Sequence, residues 1–302
     1  MDSLTHALVA AIVAYSLGFS QFVPFIVIGA VIIDADVLFS IFSNRHPSLY
    51  LFVHGGIAHS IAGVVAMSAF AYAGIGIAAL AGLVSPTGFF GAGVYGFAAI
   101  LAGGFLHIAM DLPATPGIPL LAPFSDKKFA LFILPGPSLF LLGVSLFFLI
   151  WLALGVVTFV EGMTVYMAIF AAFLLARFIP FLLSRPGLAG SIKVIPRVNP
   201  LAWLAIRDRG DSWEVGMYRI GNETKSPVAF LKFRDTTDAE IAPYRSLPEV
   251  KRLMYQSYIV TAKKSDGSLV LCDPLRESGL LFYPPNFKRV TIPLPPDTRD
   301  TA

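Results

Sequence analysis

The sequence AILAGGFLHIAMD, at residues 99–111, decides the fold: it is apolar until His107 and Asp111 at its end. In a helix these two residues, four positions apart, project from one face about a turn from each other. This spacing suits two ligands of one metal ion. Ala99 and Gly103 extend the same face, so a neighbouring helix is expected to pack closely there.

The chain as a whole is apolar. Of its 302 residues, 56% are hydrophobic and 14% are charged, whereas soluble domains carry about a quarter charged residues. Residues 1–185 contain five Lys/Arg and six Asp/Glu, and residues 186–302 contain 17 and 13. This shift predicts a polytopic α-helical membrane domain over residues 1–185 and a small soluble α+β domain over residues 186–302.

Hydropathy predicts about six membrane spans. The apolar segments cover residues 5–19, 22–42, 57–83, 87–112, 129–157 and 163–183. The first is short for a full span, and Pro135 and Pro137 leave the beginning of the fifth open. Beyond residue 186, alternating patterns predict hairpins at 203–220 and 258–272, strands at 228–233 and 290–294, a helix within 239–256 and a frayed tail at 295–302.

Ionisable residues of the apolar half are few and clustered. All five histidines lie within the first 107 residues, and the acids before residue 126 are Asp2, Asp34, Asp36 and Asp111. An ionisable side chain costs roughly 2.5–3.5 kcal/mol at mid-bilayer, so such groups indicate function. With six spans, the His/Asp groups and the basic residues 45, 127, 128, 177 and 185 share one membrane face. The positive-inside rule predicts that this face and both termini are cytoplasmic.

Imidazole and carboxylate ligands together favour zinc, followed by manganese or iron. His54 and His59 would diverge on a continuous helix, but the Gly55–Gly56 pair lets the chain turn between them. Asp34 and Asp36 can both bind at an unwound helix end, or Asp36 can orient another ligand as an acceptor. His6 is a further candidate ligand from the first segment. His46, in a loop, is expected at the surface.

Four motifs resemble the YdjM-like family of inner-membrane metal-dependent hydrolases. They are MDSLTHAL at residues 1–8, DAD at residues 34–36, HGGIAHS at residues 54–60, and the H-x-x-x-D pair followed by LLAPFS at residues 120–125. The resemblance implies a metal site formed by His6, Asp34, Asp36, His54, His59, His107 and Asp111. The family is in turn similar to zinc-dependent phospholipases C and P1-type nucleases, which implies phosphoester chemistry.

This chain departs from the family pattern at two positions. Gly55 stands where family members often have Arg, which removes a bidentate phosphate contact. Ile33 stands where they often have Pro. Both histidines of the H-x4-H motif remain, so the departures affect the expected substrate more than the expected metal site.

The leading hypothesis is a membrane-embedded, metal-dependent hydrolase that acts on a phosphoester of a lipid or membrane-associated substrate. Water activated by the metal would attack, with Asp36 as the catalytic base. One alternative is a non-enzymatic scaffold with a structural metal, whose C-terminal domain binds a cytoplasmic protein partner. The other is an ion or metal transporter. A net charge of +3, without a basic run interleaved with aromatic residues, argues against nucleic acid as a partner.

Overall fold

A computed structural model describes residues 1–221 and 227–295 of the chain. The chain divides into two compact units, each with its own core. The first comprises Met1–Phe42, Leu51–Leu183 and Pro196–Pro200. The second comprises Ser43–Tyr50, Ser184–Ile195 and Leu201–Ala302.

The first 184 residues are mainly helical, apart from the connection between Asp111 and Leu139. Their α-helices are α1 (Ser3–Ser16), α2 (Val23–Ile32), α3 (Ser40–Arg45), α4 (Ile61–Leu80), α5 (Pro86–Asp111), α6 (Leu139–Ala153) and α7 (Phe159–Ser184). Short 3₁₀ helices at Ser20–Phe22, Ile33–Phe39, Pro47–Leu49 and Ile57–His59 connect several of them. Two of these 3₁₀ helices, Ile33–Phe39 and Ile57–His59, carry polar residues predicted to bind metal.

Among the residues that the structure describes, four helical stretches are long and apolar enough to cross a membrane. They are Ser20–Arg45, Ile61–Leu80, Pro86–Asp111 and Phe159–Ser184. Two shorter apolar helices, α1 and α6, have 14 and 15 residues, whereas a full span needs about 20. The helical membrane character is therefore present, but the predicted number of about six spans is not confirmed.

The fifth apolar segment is helical only in its second half. The prediction began it near residue 129, but α6 begins at Leu139. Pro135 and Pro137 disfavour helix before this point because proline lacks a backbone N–H and restricts the residue before it. Phe129 instead forms a β-bridge with Ile118, and Leu134 forms one with Ala114.

Glycines allow α2 and α5 to approach each other closely, as predicted from the small residues of the fourth segment. A Cβ on Gly103 would lie 2.0 Å from the carbonyl oxygen of Ile26, and one on Gly29 would lie 1.9 Å from that of Ile100. Any larger residue at these positions would collide with the backbone of the facing helix. The close approach brings the C-terminal end of α2 next to the final turns of α5.

The second unit is rich in strands. They are β1 (Lys193–Pro196), β2 (Ala202–Asp208), β3 (Ser212–Arg219), β4 (Val228–Leu231), β5 (Phe233–Arg234), β6 (Thr261–Ser265), β7 (Ser268–Cys272) and β8 (Arg289–Pro293). They form two four-stranded sheets, ordered β1-β2-β3-β4 and β5-β6-β7-β8. The antiparallel pairs β2/β3 and β6/β7 confirm both predicted hairpins.

The predicted helix within residues 239–256 is present in pieces. Short helix α8 (Asp238–Ile241), a 3₁₀ helix at Ala242–Ser246 and α9 (Pro248–Gln256) follow one another, and α10 (Pro274–Glu277) comes later in the chain. Pro248 begins α9, where the missing N–H of proline costs no hydrogen bond. Of the predicted frayed tail, residues 296–302 lie outside the described residues.

Candidate metal centre

His107 occupies the last turns of α5 and is fully buried. Its Nδ1 lies 2.6 Å from the carbonyl oxygen of Ala30, at the C-terminal end of α2. Because a carbonyl only accepts hydrogen bonds, Nδ1 carries the proton and the neutral ring keeps its lone pair on Nε2. The close packing of α2 on α5 therefore prepares Nε2 of His107 as a ligand atom.

His59 ends the 3₁₀ helix that precedes α4, and its ring is also buried. Its Nδ1 lies 3.0 Å from Oδ2 of Asp36, an ion-pairing distance, although the N–H is not aligned for a hydrogen bond. Its Nε2 lies 3.2 Å from Nε2 of His107. Both Nε2 atoms are therefore close enough to bind one shared cation.

Two carboxylates complete this inner group. Oδ1 of Asp34 lies 3.6 Å from His59 Nε2 and 3.5 Å from His107 Nε2. Oδ2 of Asp111 lies 3.5 Å and 3.4 Å from the same two nitrogens. Four ligands at zinc bond lengths of about 2.0–2.1 Å occupy tetrahedron corners about 3.3–3.4 Å apart. Nε2 of His59, Nε2 of His107 and a carboxylate oxygen of either Asp34 or Asp111 therefore have spacings close to those of ligands around one tetrahedral divalent ion.

His6, on α1, brings two more ring nitrogens to the cluster. Its ring stacks on that of His107, with centroids 3.8 Å apart. Nε2 lies 3.2 Å from Oδ1 of Asp111, but neither ring nitrogen has a hydrogen-bond partner within the described part of the chain. A buried imidazole with both nitrogens unsatisfied is costly unless a ligand engages it. This observation is a second indication that the cluster holds an ion.

Asp36 is almost completely buried between two histidines. Its Oδ1 lies 2.7 Å from Nδ1 of His54, and its Oδ2 accepts a hydrogen bond of 3.1 Å from the backbone N–H of Gly55. The φ of Gly55 is +72°, a left-handed conformation that glycine adopts readily and that turns the chain between His54 and His59. The Gly55–Gly56 turn predicted from the sequence is therefore what brings both histidines to Asp36.

All seven residues predicted for the site lie together. Their ligand atoms form three overlapping groups, each within 4.8 Å: His6/His107/Asp111, Asp34/His59/His107 and Asp36/His54/His59. His107 belongs to the first and second groups, and His59 belongs to the second and third. The seven side chains therefore offer more ligand atoms than one metal ion needs. His46 is exposed and belongs to none of the groups, in agreement with its predicted surface position.

The cluster is buried except at three side chains. Those of Asp34 and Asp111 are 11% and 13% exposed, and that of His54 is 39% exposed, whereas the other four are buried. These three side chains are therefore the members of the cluster that a ligand from outside could reach.

Some contacts of the site were not predicted. The hydroxyl of Ser3 donates a hydrogen bond of 2.5 Å to Oδ2 of Asp34, and the α-amino group of Met1 forms an ion pair with Asp111. The contact between His107 and the Ala30 carbonyl could not be predicted either, because a backbone carbonyl leaves no mark on the pattern of side chains. Ser3 alone had a sequence signal, since it lies one helical turn before His6 on α1.

Apolar spans and a partly buried His/Asp cluster at their ends define an integral membrane protein with a candidate metal centre. The chain belongs to the YdjM inner membrane protein family, whose model matches residues 1–184. The match covers every residue of the cluster and ends before the strand-rich region. No curated protein and no solved structure matches the chain significantly.

Proposed function

We propose that the chain is a membrane-embedded, metal-dependent hydrolase that cleaves a phosphoester of a lipid or membrane-associated substrate. The observation that carries this proposal is that Nε2 of His59 and Nε2 of His107 lie 3.2 Å apart, each 3.4–3.6 Å from a carboxylate oxygen of Asp34 and of Asp111. Two nitrogens and one carboxylate oxygen at this spacing can hold a tetrahedral ion with its fourth position open to water. Nitrogen and carboxylate oxygen ligands suit zinc best, with manganese and iron next. His6 extends the donor set on one side.

A divalent ion held here would act as a Lewis acid and lower the pKa of a bound water toward 7. The protein contributes orientation: the Ala30 carbonyl holds His107, and Asp36 holds His54 and His59. Two roles were predicted for Asp36, a catalytic base and an orienting acceptor. Its contacts support the orienting role, because both oxygens are engaged and the side chain is 1% exposed.

The position of the site favours a substrate at the membrane surface. Asp111 is the last residue of the apolar helix α5, and Asp34 lies in the second half of the apolar stretch Ser20–Arg45. The end of α5 lies near headgroup depth, where a phosphoester of a lipid is within reach. In the six-span topology the basic residues of the helical region share this face, and we therefore place it and both termini in the cytoplasm.

The test begins with metal content and activity of the protein purified in detergent. We expect the wild type to contain about one or more zinc ions per chain by elemental analysis and to hydrolyse a chromogenic phosphodiester. His107→Ala and Asp111→Ala should lose both metal and activity. His46→Ala, at an exposed histidine outside the cluster, is the matched control and should lose neither. A wild type that is metal-free and inactive would exclude this function.

A metal-stabilised scaffold is the second candidate. If Asp34, His59, His107 and Asp111 all bind one ion, no position is left for water, as is typical of structural zinc sites. In this case the metal would join α2, α5 and the turn before α4, and the strand-rich region would bind a cytoplasmic protein partner. Wild-type protein with full metal content but no hydrolytic activity, and with metal-dependent thermal stability, would favour this candidate.

The transporter alternative gains no support. A transport path requires polar groups that continue across the membrane. In the described residues, α6 and α7 contribute no member of the three ligand groups. The cluster stays at one end of α5.

A further inference from the structure

The second unit contains a cavity that the proposed hydrolase site does not use. Its volume is about 470 Å³, and its walls come from both sheets and from α8 and α9. Small-molecule sites in proteins typically measure about 300–1,000 Å³. The indole N–H of Trp213, on β3, donates to the carbonyl of Val260 at 3.2 Å and joins the two sheets at this wall. The packing of the two sheets against each other therefore forms this cavity.

The lining of the cavity is positively charged. Lys193, Lys232 and Arg245 line it, and Asp238 is the single acidic residue among the lining side chains. Asp238 forms an ion pair with Arg245, and Lys232 lies 2.7 Å from Asp208, outside the lining. Lys232 also lies 4.1 Å from the ring centroid of Trp213, a cation–π distance that holds the ammonium at the wall.

Lys193 is the cation that lacks a carboxylate partner. Its Nζ donates to the backbone carbonyl of Tyr258 at 2.6 Å, and no carboxylate of the described residues lies within 4.0 Å of it. An ammonium has three N–H donors, so this bond uses only one of them. Burial lowers the pKa of Lys193, and the charge of nearby Asp273 opposes that shift. Asp273 itself is bound to Arg276 at 2.8 Å.

The remaining wall is apolar and aromatic. Trp213, Tyr258, Met254 and Ile241 contribute to it. A pocket that combines aromatic and aliphatic walls with a few polar groups is typical of sites for small organic molecules. Because Arg245 and Lys232 are paired with Asp238 and Asp208, Lys193 supplies the uncompensated positive charge of the lining, which would attract the negative charge of a phosphate monoester.

We propose that this cavity binds a small organic phosphate with an aromatic or apolar body, and that Lys193 supplies the main charged contact. The site is independent of the metal cluster, since every lining residue belongs to the second unit. A ligand of this class gives the strand-rich region a binding role distinct from hydrolysis.

The test is a calorimetric titration of the full-length protein in detergent, which measures the binding affinity for each probe. The probes are adenosine monophosphate and phenyl phosphate, with adenosine and inorganic phosphate as the separated halves. At least one organic phosphate should bind saturably and about ten-fold tighter than either half. Lys193→Met should weaken this binding about 10–100-fold, and Lys193→Arg should restore most of it. The matched control Lys264→Met changes an exposed lysine outside the lining and should change affinity by less than about two-fold.

Two further measurements keep the outcome unambiguous. Met254→Trp narrows the cavity without changing its charge and should also weaken binding, even if Lys193→Met fails to fold. His107→Ala should leave binding unchanged, which separates this cavity from the metal cluster. The proposal is wrong if neither organic phosphate binds tighter than inorganic phosphate, or if Met254→Trp and the folded Lys193→Met bind like the wild type.

Discussion

Nε2 of His59 and Nε2 of His107 face each other at 3.2 Å in the interior of the first unit. The other nitrogen of His107 is bound to the Ala30 carbonyl, and that of His59 lies beside Asp36. The carbonyl contact leaves the lone pair of the neutral His107 ring on Nε2, which faces His59. A cation bound by both Nε2 atoms would also lie beside the carboxylates of Asp34 and Asp111, and this relationship underlies the first predictions.

Removal of an inner ligand should abolish metal binding. For His59→Ala and His107→Ala we expect metal affinity to fall by more than about 100-fold, beyond the 10–100-fold typical of changes around a site. The measurement is competition with a zinc-sensitive dye in detergent. His46→Ala should retain wild-type affinity because His46 is exposed and outside the cluster. Wild-type affinity in His107→Ala would contradict the assignment of the inner group.

Asp36→Asn tests the orienting role of this carboxylate. The amide keeps the shape of the side chain but cannot accept from both histidines as a carboxylate does, so we expect about 10–100-fold weaker metal binding. The rate of any hydrolysis at saturating metal should change less than the affinity does. Glu161→Gln, at an exposed acid on α7, is the control and should have no effect. If Asp36→Asn eliminates hydrolysis with unchanged metal affinity, Asp36 is the base.

Gly103→Ala tests the helix contact behind the site. The added Cβ would lie 2.0 Å from the carbonyl of Ile26 and 2.9 Å from the backbone nitrogen of Ala30. Overpacking of this kind costs about 1–3 kcal/mol, and here it also shifts the carbonyl that orients His107. We expect a lower thermal unfolding temperature and weaker zinc binding. Gly91→Ala, in the same helix with no atom within 4 Å of its added Cβ, should behave as the wild type.

Metal removal should destabilise the helical region. A ligand that binds only the folded state at 100 times its Kd stabilises that state by about 2.7 kcal/mol. Chelator treatment should therefore lower the unfolding temperature of the wild type, and added zinc should restore it. The Asp111→Ala variant should have a low unfolding temperature from the start, and neither chelator nor added zinc should change it. An unfolding temperature that is insensitive to chelator in metal-loaded protein would argue against a stabilising ion.

The orientation of the chain can be tested with single cysteines. Cys272→Ser removes the one native thiol, after which Gln21→Cys and Glu161→Cys report positions that the six-span topology places on the face opposite the cluster. In spheroplasts, a membrane-impermeant maleimide should label both of these positions. Asn44→Cys, beside the basic Arg45, should be labelled only after the cells are opened. The reverse labelling pattern would place the cluster on the outer face.

Part of the site followed from sequence because its geometry is local. His107 and Asp111 share a face whenever residues 86–111 are helical, and the Gly55–Gly56 turn allows His54 and His59 to converge without a distant contact. Both hairpins of the second unit were also predictable, since alternation and the Asp266–Gly267 turn act between neighbouring residues. The fifth apolar segment was predicted from residue 129, but its helix begins at Leu139. Pro135 and Pro137 prevent an earlier start, although the hydropathy of the residues before them is high.

The amino-acid sequence by itself determined that the chain is a helical membrane protein of the YdjM family, and it supplied the imidazoles and carboxylates of the cluster. Only the tertiary structure decided how these groups face one another: His59 against His107, and Asp36 beside both His54 and His59. Those relationships depend on the distance between α2 and α5 and on a backbone carbonyl at Ala30. Residue spacing fixes directions within a single helix, whereas the meeting of ligand atoms from separate helices is fixed by packing.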